Sequence, residues 1–478
     1  MALIMLALGA PEGLAFSAWA TGALLAWMAV WWATEAIPIP ATALLPLAVL
    51  PIINAGTIRE AAAGYSSPIV LLLLGGFIIA LGIERWGLHR RIALAVVAMV
   101  GGGQRGLVFG FMVATAALSM WISNTATTLM MVPIALSAAA ALNGKDEKFA
   151  LALLLGVCYS ASIGGVATPI GTPTNLIAID WLEQNTGATI GYIQWMVFGL
   201  PALLLLVPAA WWTVTRHLSK KTDAVEALAE VRRQKAALGG TTPPEARVAI
   251  VFGTVAFLWV LRVPLQQLAG GASFEFSLLS LPISIAVPPI PWLERLSDMG
   301  IAIAGAVVMF LVPAGGKAER PLLTWPEAVK LPWGVLILFG GGISLGQAIT
   351  RTGLSAWIGE QLSALSAFPP IVFIAIVVLL VIFLTELTSN VATMTTLAPI
   401  LGTLAVGIGT APESLLGPAA VAASCAFMLP VATAPNAIIY ATEKVPVATM
   451  MRAGIRVNLI GAVVITTIGY FIAPLVLG

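Results

Sequence analysis

Charge is what this sequence has least of. Asp, Glu, Lys and Arg make up only 9% of its 478 residues, against 59% hydrophobic, and the mean hydropathy is +1.00. A soluble domain carries roughly 25% charged residues, so this chain cannot cover a globule with polar surface. Histidine is almost missing as well: His89 and His217 each sit beside basic residues at the end of an apolar run. With no His, Cys or carboxylate cluster around them, both read as interfacial side chains. Cys158 and Cys425 lie far apart in apolar segments, which argues against a disulfide framework or a metal cluster. No Ser/His, metal-ligand or paired-carboxylate constellation falls at membrane depth, so an intramembrane enzyme is disfavoured. The N-terminus has no charged n-region and no clear cleavage site, so no cleavable signal peptide is expected.

What the chain does have is apolar runs near the roughly 20 residues needed to cross a bilayer. They fall near 1–10, 15–33, 39–54, 66–86, 148–183, 191–215, 246–265, 298–313, 333–350, 413–443 and 453–476. The first is too short to cross unaided; either its start lies upstream or it only dips into the membrane. Two further runs do not fit simple spans. Gly106 to Leu142 is uncharged for 37 residues, roughly 55 Å as helix against a core of about 30 Å. Arg105 precedes it and Lys145 follows it, which calls for a re-entrant hairpin with its tip at Asn124. The run from about Phe368 to Pro412 behaves similarly, with its midpoint near Asn390. The expected fold is therefore an all-α polytopic membrane protein of about 11 spans plus two re-entrant hairpins.

Basic residues orient it. With the N-terminus cytoplasmic and the C-terminus outside, all but Arg59, Arg262, Arg295 and Arg351 of the 23 Lys and Arg fall on the cytoplasmic side. The polar stretch 216–247 carries Ala224, Val225, Ala227, Leu228 and Val231 at helical spacing and reads as a cytoplasmic amphipathic helix linking two halves. The Gly- and Pro-rich stretch from Gln266 to Ser297 is expected to be an irregular outer loop.

The halves repeat. GGFIIALGIERWGL (Gly75–Leu88) matches GGISLGQAITRTGL (Gly341–Leu354) at a shift of 266 residues. The same shift relates Ser123-Asn124-Thr125 to Ser389-Asn390-Val391, Ser119 to Thr385, and Pro133 to Pro399. At a shift of 261, PIGTPTN (Pro169–Asn175) matches PVATAPN (Pro430–Asn436). With one hairpin opening inward and the other outward the repeats are inverted, a common plan of secondary transporters with a midplane site.

The repeated motifs carry the chemistry. One Ser-Asn-Thr in an apolar helix would ordinarily be helix glue or a back-bonded hydroxyl. Two copies at matched hairpin tips point instead to a ligand, because unpaired backbone at membrane depth is tolerated only where it lines a cavity. The proline-containing breaks free backbone carbonyls. Carbonyls with Ser, Thr and Asn oxygens suit Na⁺, and the helix N-termini beyond the breaks suit a carboxylate. No Lys or Arg lies within the motif segments, so a multivalent anion would enter without fixed countercharge, which co-bound Na⁺ would supply. Of the acids near the motifs, Glu386 is read as a structural acid paired with a helix end or polar neighbour; Asp180 and Glu183 lie near the end of a broken span. Glu35 and Glu84 sit at span ends and read as interfacial.

These motifs, with WWATEAIPIPATALLPLAVLP (Trp31–Pro51) and GGFIIALGIERWGLHRRIAL (Gly75–Leu94), resemble the divalent anion/sodium symporter family over nearly the whole chain. The family holds Na⁺-coupled dicarboxylate, citrate and sulfate carriers. The resemblance implies a homodimer working as an elevator. Its scaffold would be 1–104 and 248–368, and its moving transport part 105–215 and 369–478, with hairpins 105–145 and 369–412. Carried over residue by residue, one Na⁺ site would use Ser119, Ser123, Asn124 and Gly171, and the other Thr385, Thr388, Asn390 and Ala432. Substrate carboxylates would meet Ser123, Asn124, Thr125, Ser389 and Asn390, with Thr172 and Thr433 at the breaks. Val391 stands where many relatives have Thr, and Ala434 where proline is common. Some relatives are exchangers with cationic side chains in place of sodium; none stands at the matching positions here. The implied function is Na⁺-driven symport of succinate, malate or fumarate across the plasma (inner) membrane, with citrate second and sulfate third. A Na⁺-independent exchanger or proton-coupled carrier is the alternative. No nucleic-acid partner is expected.

Overall fold

The computed structural model describes residues 5–6, 9–34, 36–99, 103–142, 147–218, 224–270, 272–278, 281–287, 289–315, 318–361 and 369–478. Most of the first apolar run and Glu35 lie outside them. The described chain is helical almost throughout. α1 spans Phe16–Thr34. The run 39–54, expected as one span, is instead two short helices, Ile39–Thr42 and Leu45–Ile52. Pro38, Pro40, Pro46 and Pro51 remove backbone donors too often for one unbroken helix. α2 (Pro68–Arg85) starts at Ser67, whose hydroxyl accepts from the Ile69 N–H.

Two helices were not anticipated, α3 (Leu88–Met99) here and its counterpart in the second half. α4 (Gln104–Ser119) and α5 (Asn124–Ala141) form the first helix–turn–helix. The new helix starts because Ser123 turns out of helical geometry and its hydroxyl caps the Ala126 N–H at 3.3 Å. α6 (Glu147–Gly165) and α7 (Pro173–Thr186) are the two pieces of the first broken span, and α8 (Tyr192–Thr215) follows.

The linker helix α9 (Val225–Ala237) lies on α3 and α5. Ala227 and Val231 are buried in that contact, whereas Val225, expected on the apolar face, is exposed at the helix start. Gln234 donates to Ser137 of α5 at 2.8 Å, and Arg91 of α3 donates to the Gly239 carbonyl at 2.9 Å.

In the second half come α10 (Pro243–Gln267), α11 (Asp298–Leu311), α12 (Trp333–Arg351) and α13 (Leu354–Gln361). The region read as an irregular outer loop contains an antiparallel hairpin, β1 (Ala272–Leu278) with β2 (Leu281–Val287). Its SFEFSL and PISIAV runs alternate with period two, a strand signal that the flanking Gly and Pro obscured. A second small ladder pairs β3 (Pro313–Gly315) with β4 (Ala318–Pro321). α14 (Pro370–Thr385) and α15 (Asn390–Gly407) repeat the helix–turn–helix, with Ser389 capping the Ala392 N–H at 3.2 Å. α16 (Glu413–Ala423) and α17 (Ala434–Tyr440) are the second broken span, and α18 (Val447–Phe471) closes the long helices.

Among the described residues eight helices are long and apolar enough to cross a membrane, and three apolar stretches are shorter. The broken helices sit at the centre: most of α6 and all of α16 are buried. α2 meets α11 closely at Gly75, where a Cβ would come within 2.7 Å of the Ala302 backbone. α10 exposes Ile250, Phe257, Val260 and Val263, the surface of a helix made for lipid.

Candidate functional site

At the first turn, Ser119 lies at the end of α4 and donates to Asn124 Oδ1 at 2.7 Å or to the Ala161 carbonyl of α6 at 2.6 Å. The single hydroxyl proton is shared between two acceptors. At the second turn Thr385 does the same, towards Asn390 Oδ1 at 2.9 Å and the Ala423 carbonyl of α16 at 2.8 Å. Each helix–turn–helix is thus sewn to the broken span of its own half.

The breaks repeat as closely. Asn175 Nδ2 donates to the Gly165 and Thr168 carbonyls at 3.0 and 2.7 Å. Asn436 Nδ2 donates to the Ala426 and Leu429 carbonyls at 3.0 and 2.8 Å. In both halves a side-chain amide substitutes for the helical donors that the break removes. Glycine is required by space at the first break. A Cβ on Gly165 would lie 2.7 Å from Asn124 Oδ1, and one on Gly171 would lie 2.5 Å from the Gly165 carbonyl oxygen.

The two turns and two breaks converge on one cavity of about 590 Å³. Ser123, Asn124, Thr125, Gly171, Thr172, Ser389, Asn390, Ala432 and Thr433 all line it, brought together from positions up to 310 apart in the chain (Ser123 to Thr433). Ser119, Thr385 and Thr388 do not line it. The first two are fully buried behind the Asn side chains they contact, and Thr388 shares a hydrogen bond with Thr393 at 2.5 Å. The cavity wall therefore presents hydroxyl, amide and carbonyl oxygens backed by a buried layer of the same chemistry, suited to a hard cation. It also presents helix N-termini at Asn124, Pro173 and Asn390, suited to an anion.

Comparison with known proteins identifies the family. A family profile described as "Sodium:sulfate symporter transmembrane region" matches residues 1–477. The sodium-dependent dicarboxylate transporter SdcS of Staphylococcus saprophyticus is 39% identical over 470 residues, 95% of this chain and 86% of that one. SdcS of Staphylococcus aureus is 38% identical over the same shares. The chain belongs to the divalent anion/sodium symporter family. It is a membrane transporter and not an enzyme.

Two solved structures share the fold at low identity. MtrF of Neisseria gonorrhoeae, described with a class of antimetabolite efflux pumps, has TM-score 0.61 at 15% identity, covering 100% of this chain and 98% of its own. The YdaH transporter of Alcanivorax borkumensis has TM-score 0.59 at 16% identity, covering 95% and 99%.

Two further features complete this symporter-family site, the first of them not anticipated. Asn175 and Asn436 end the two break motifs, yet their clamp role needs the folded break to be seen. Glu386, one residue after Thr385, directs its carboxylate into the second break. It accepts from the Phe427 N–H at 2.7 Å, the Met428 N–H at 3.0 Å, the Leu429 N–H at 3.1 Å and Asn458 Nδ2 at 2.7 Å. It is paired with a broken helix end, as its position suggested.

One end of the cavity is formed by Glu84, Lys330, Leu331, Pro332 and Val335. Beside Lys330, Glu327 bonds Arg85 at 2.7 Å and also bonds Arg320. Partial burial pushes the Glu327 carboxyl up, but hydrogen bonds from Arg320, the Thr324 N–H and Arg85 outweigh it and hold the group at about 2. Glu327 is therefore ionised at neutral pH.

Proposed function

We propose that this chain couples Na⁺ entry to the uptake of C4-dicarboxylates such as succinate, malate or fumarate. The observation that carries the reading is the duplicated set of oxygens around one cavity. Each half contributes an Asn whose Oδ1 faces a buried hydroxyl, next to a break in a helix. Two such sets give two equivalent places for Na⁺, at Ser119, Ser123, Asn124 and Gly171 and at Thr385, Thr388, Asn390 and Ala432. Two separated polar tips suit an anion with two separated charges better than a compact sulfate. The relatives named for sodium-dependent dicarboxylate transport support the same substrate class.

A proton-coupled alternative would use a titratable group in the cavity, for which Glu84 in the lining is the candidate. Glu386, the acid nearest the second tip, is instead engaged by four donors. Bound Na⁺ would neutralise the substrate before the site moves, which lowers the cost of carrying charge through low dielectric.

The mechanism we infer is alternating access by an elevator motion, with 105–215 and 369–478 moving against 1–104 and 248–368 in a homodimer. About eleven spans and two re-entrant hairpins in inverted repeats fit the element order. The orientation is supported by which basic groups meet. Arg85 with Glu327, Arg91 with Gly239, Arg105 with Leu218 and Arg247 with Pro313 join segments assigned to the cytoplasmic side. Arg351 with Ala55 and Arg262 with Asp298 join segments assigned outside. On that orientation the Lys330 end of the cavity faces the cytoplasm.

The test is radiolabelled succinate uptake into proteoliposomes under an inward Na⁺ gradient, compared with K⁺. Uptake with Na⁺ alone, competed by malate, is the expected result. Uptake that ignores Na⁺ but needs internal dicarboxylate would make the protein an exchanger, and sulfate uptake without succinate uptake would overturn the substrate.

A further inference from the structure

Away from the Lys330 end, α7 is fastened to its neighbours by a row of side chains. Ser67, at the start of α2, donates to Asp180 Oδ1 at 3.2 Å. Gln347 of α12 donates to Gln184 Oε1 at 3.0 Å, and Thr350 of α12 donates to Asn185 Oδ1 at 3.1 Å. Asp180 and Gln184 share one face of α7, because residues four apart on a helix lie on the same side, and Asn185, roughly 100° round the helix from Gln184, also reaches α12. They are also held by their own helix: Gln184 Nε2 donates to Asp180 Oδ2 at 2.7 Å, and Asn185 Nδ2 to the Trp181 carbonyl at 2.8 Å. The Ser67–Asp180 contact is buried, and the two contacts to α12 are exposed.

Behind this row lies a separate cavity of about 30 Å³ between α7, α12 and α15, room for one water. Thr395 Oγ1 and Trp181 Nε1 border it, buried and without a hydrogen-bond partner among the described residues. The seam therefore already contains groups that water can satisfy, and its outer bonds can be exchanged for water at little net cost. An apolar seal of the same extent would resist wetting. A row of single hydrogen bonds over a wettable gap is suited to opening and closing repeatedly.

We propose that the row Ser67–Asp180, Gln184–Gln347 and Asn185–Thr350 is a latch. It holds shut the end of the transport path opposite Lys330, and it must part when the cavity changes sides. The inference rests on the transporter reading, and on α7 belonging to the part that moves while α2 and α12 belong to the part that does not. The exposed contacts to α12 part first, and the buried Ser67–Asp180 contact parts last.

Two measurements test it. In a Gln184→Cys/Gln347→Cys protein, a short reducible bis-thiosulfonate cross-linker should reduce uptake to less than about a tenth, and reductant should restore it. Cys158 and Cys425 are buried, so the unsubstituted protein is the control for the reagent. Separately, a Val335→Cys reporter lining the Lys330 end should react with an impermeant maleimide. Adding Gln347→Ala and Thr350→Ala should slow that reaction about fivefold, since two hydrogen bonds of modest net worth no longer favour the state open at that end. Full transport by the cross-linked protein, or equal reactivity of the reporter with and without the two alanines, would overturn the latch. The reporter assay needs neither Na⁺ nor succinate, so it stands even if the unsubstituted protein lacks Na⁺-driven uptake and the functional reading falls.

Discussion

The two halves share a hydrogen-bond skeleton and differ in what fills it. Ser119, Asn124 and Ala161 in the first half correspond to Thr385, Asn390 and Ala423 in the second, with the same three-way contact. Asn175 and Asn436 clamp corresponding carbonyls. Beyond this skeleton the halves diverge. Where the second has Glu386 holding three break amides, the first has Met120, whose backbone carbonyl accepts from the Thr168 hydroxyl. Where the first tip has Trp121, stacked on Tyr192 at 6.0 Å and edge-on to Phe252 at 5.2 Å, the second has Leu387, 69% exposed. Thr125 corresponds to Val391, and Gly171 to Ala432.

The shared part runs from the cavity wall, at Asn124 and Asn390, to the buried hydroxyls, amides and carbonyls behind it. The divergent part changes two wall positions, Thr125/Val391 and Gly171/Ala432, and the means by which each tip and break is supported. What the two halves keep in common is therefore the Asn–hydroxyl–carbonyl set, while its supports differ.

The largest effect should come from the shared layer. Replacing Asn124 or Asn390 with Ala removes the amide oxygen that faces the buried hydroxyl in that half. Uptake driven by Na⁺ should fall to background in either variant while the purified protein stays folded, as read by size-exclusion profile and thermal unfolding.

Next comes the support unique to the second half. Glu386→Ala leaves the Phe427, Met428 and Leu429 N–H groups and Asn458 without their acceptor, at about 1–3 kcal/mol for each group left unsatisfied. Glu386→Gln keeps one acceptor oxygen but turns an NH₂ towards donors. Both should lower the unfolding temperature and the uptake rate, Ala more than Gln. No corresponding loss is expected for Met120→Leu in the first half, since its contact is through the backbone. Equal losses at 120 and 386 would break the comparison.

A smaller and more selective effect is expected at Gly165. Its added methyl would crowd Asn124 Oδ1 at 2.7 Å. Gly165→Ala should raise the Na⁺ concentration for half-maximal uptake about tenfold, a loss near 1.4 kcal/mol, with less change in succinate dependence. The smallest effect is at Val391→Thr, which makes the second tip match the first. It should alter apparent succinate affinity by about threefold through one added hydroxyl contact, read from competition curves with malate and citrate.

Much of this was legible in the sequence because duplication made it so. Ser123-Asn124-Thr125 alone is an ordinary helix motif; its recurrence at a fixed shift, at the middle of an uncharged run too long to cross once, marked both tips. The break motifs were visible through proline and glycine. What pairs across the breaks was not, because Asn175 reaching Gly165 and Asn436 reaching Ala426 depend on a turn of the chain that no periodicity encodes. Lys330 borders the cavity from a segment with no motif, and Glu84 does so from within the Gly75–Leu88 repeat, where its place at a span end read as interfacial. The run 39–54 looked like a span because hydropathy is indifferent to proline, and α3 escaped notice because His89, Arg90 and Arg91 interrupt its apolar pattern.

The central claim is that each half holds its own Na⁺ beside one shared cavity. The most direct test is thermal unfolding of the purified protein in NaCl against KCl, for the unsubstituted chain, Asn124→Ala and Asn390→Ala. A ligand that binds only the folded state raises the unfolding temperature in proportion to its occupancy. The account predicts a Na⁺-specific rise in the unsubstituted protein and a reduced rise in each variant. A full Na⁺-specific rise in both variants, or no difference between Na⁺ and K⁺ in the unsubstituted protein, would contradict it.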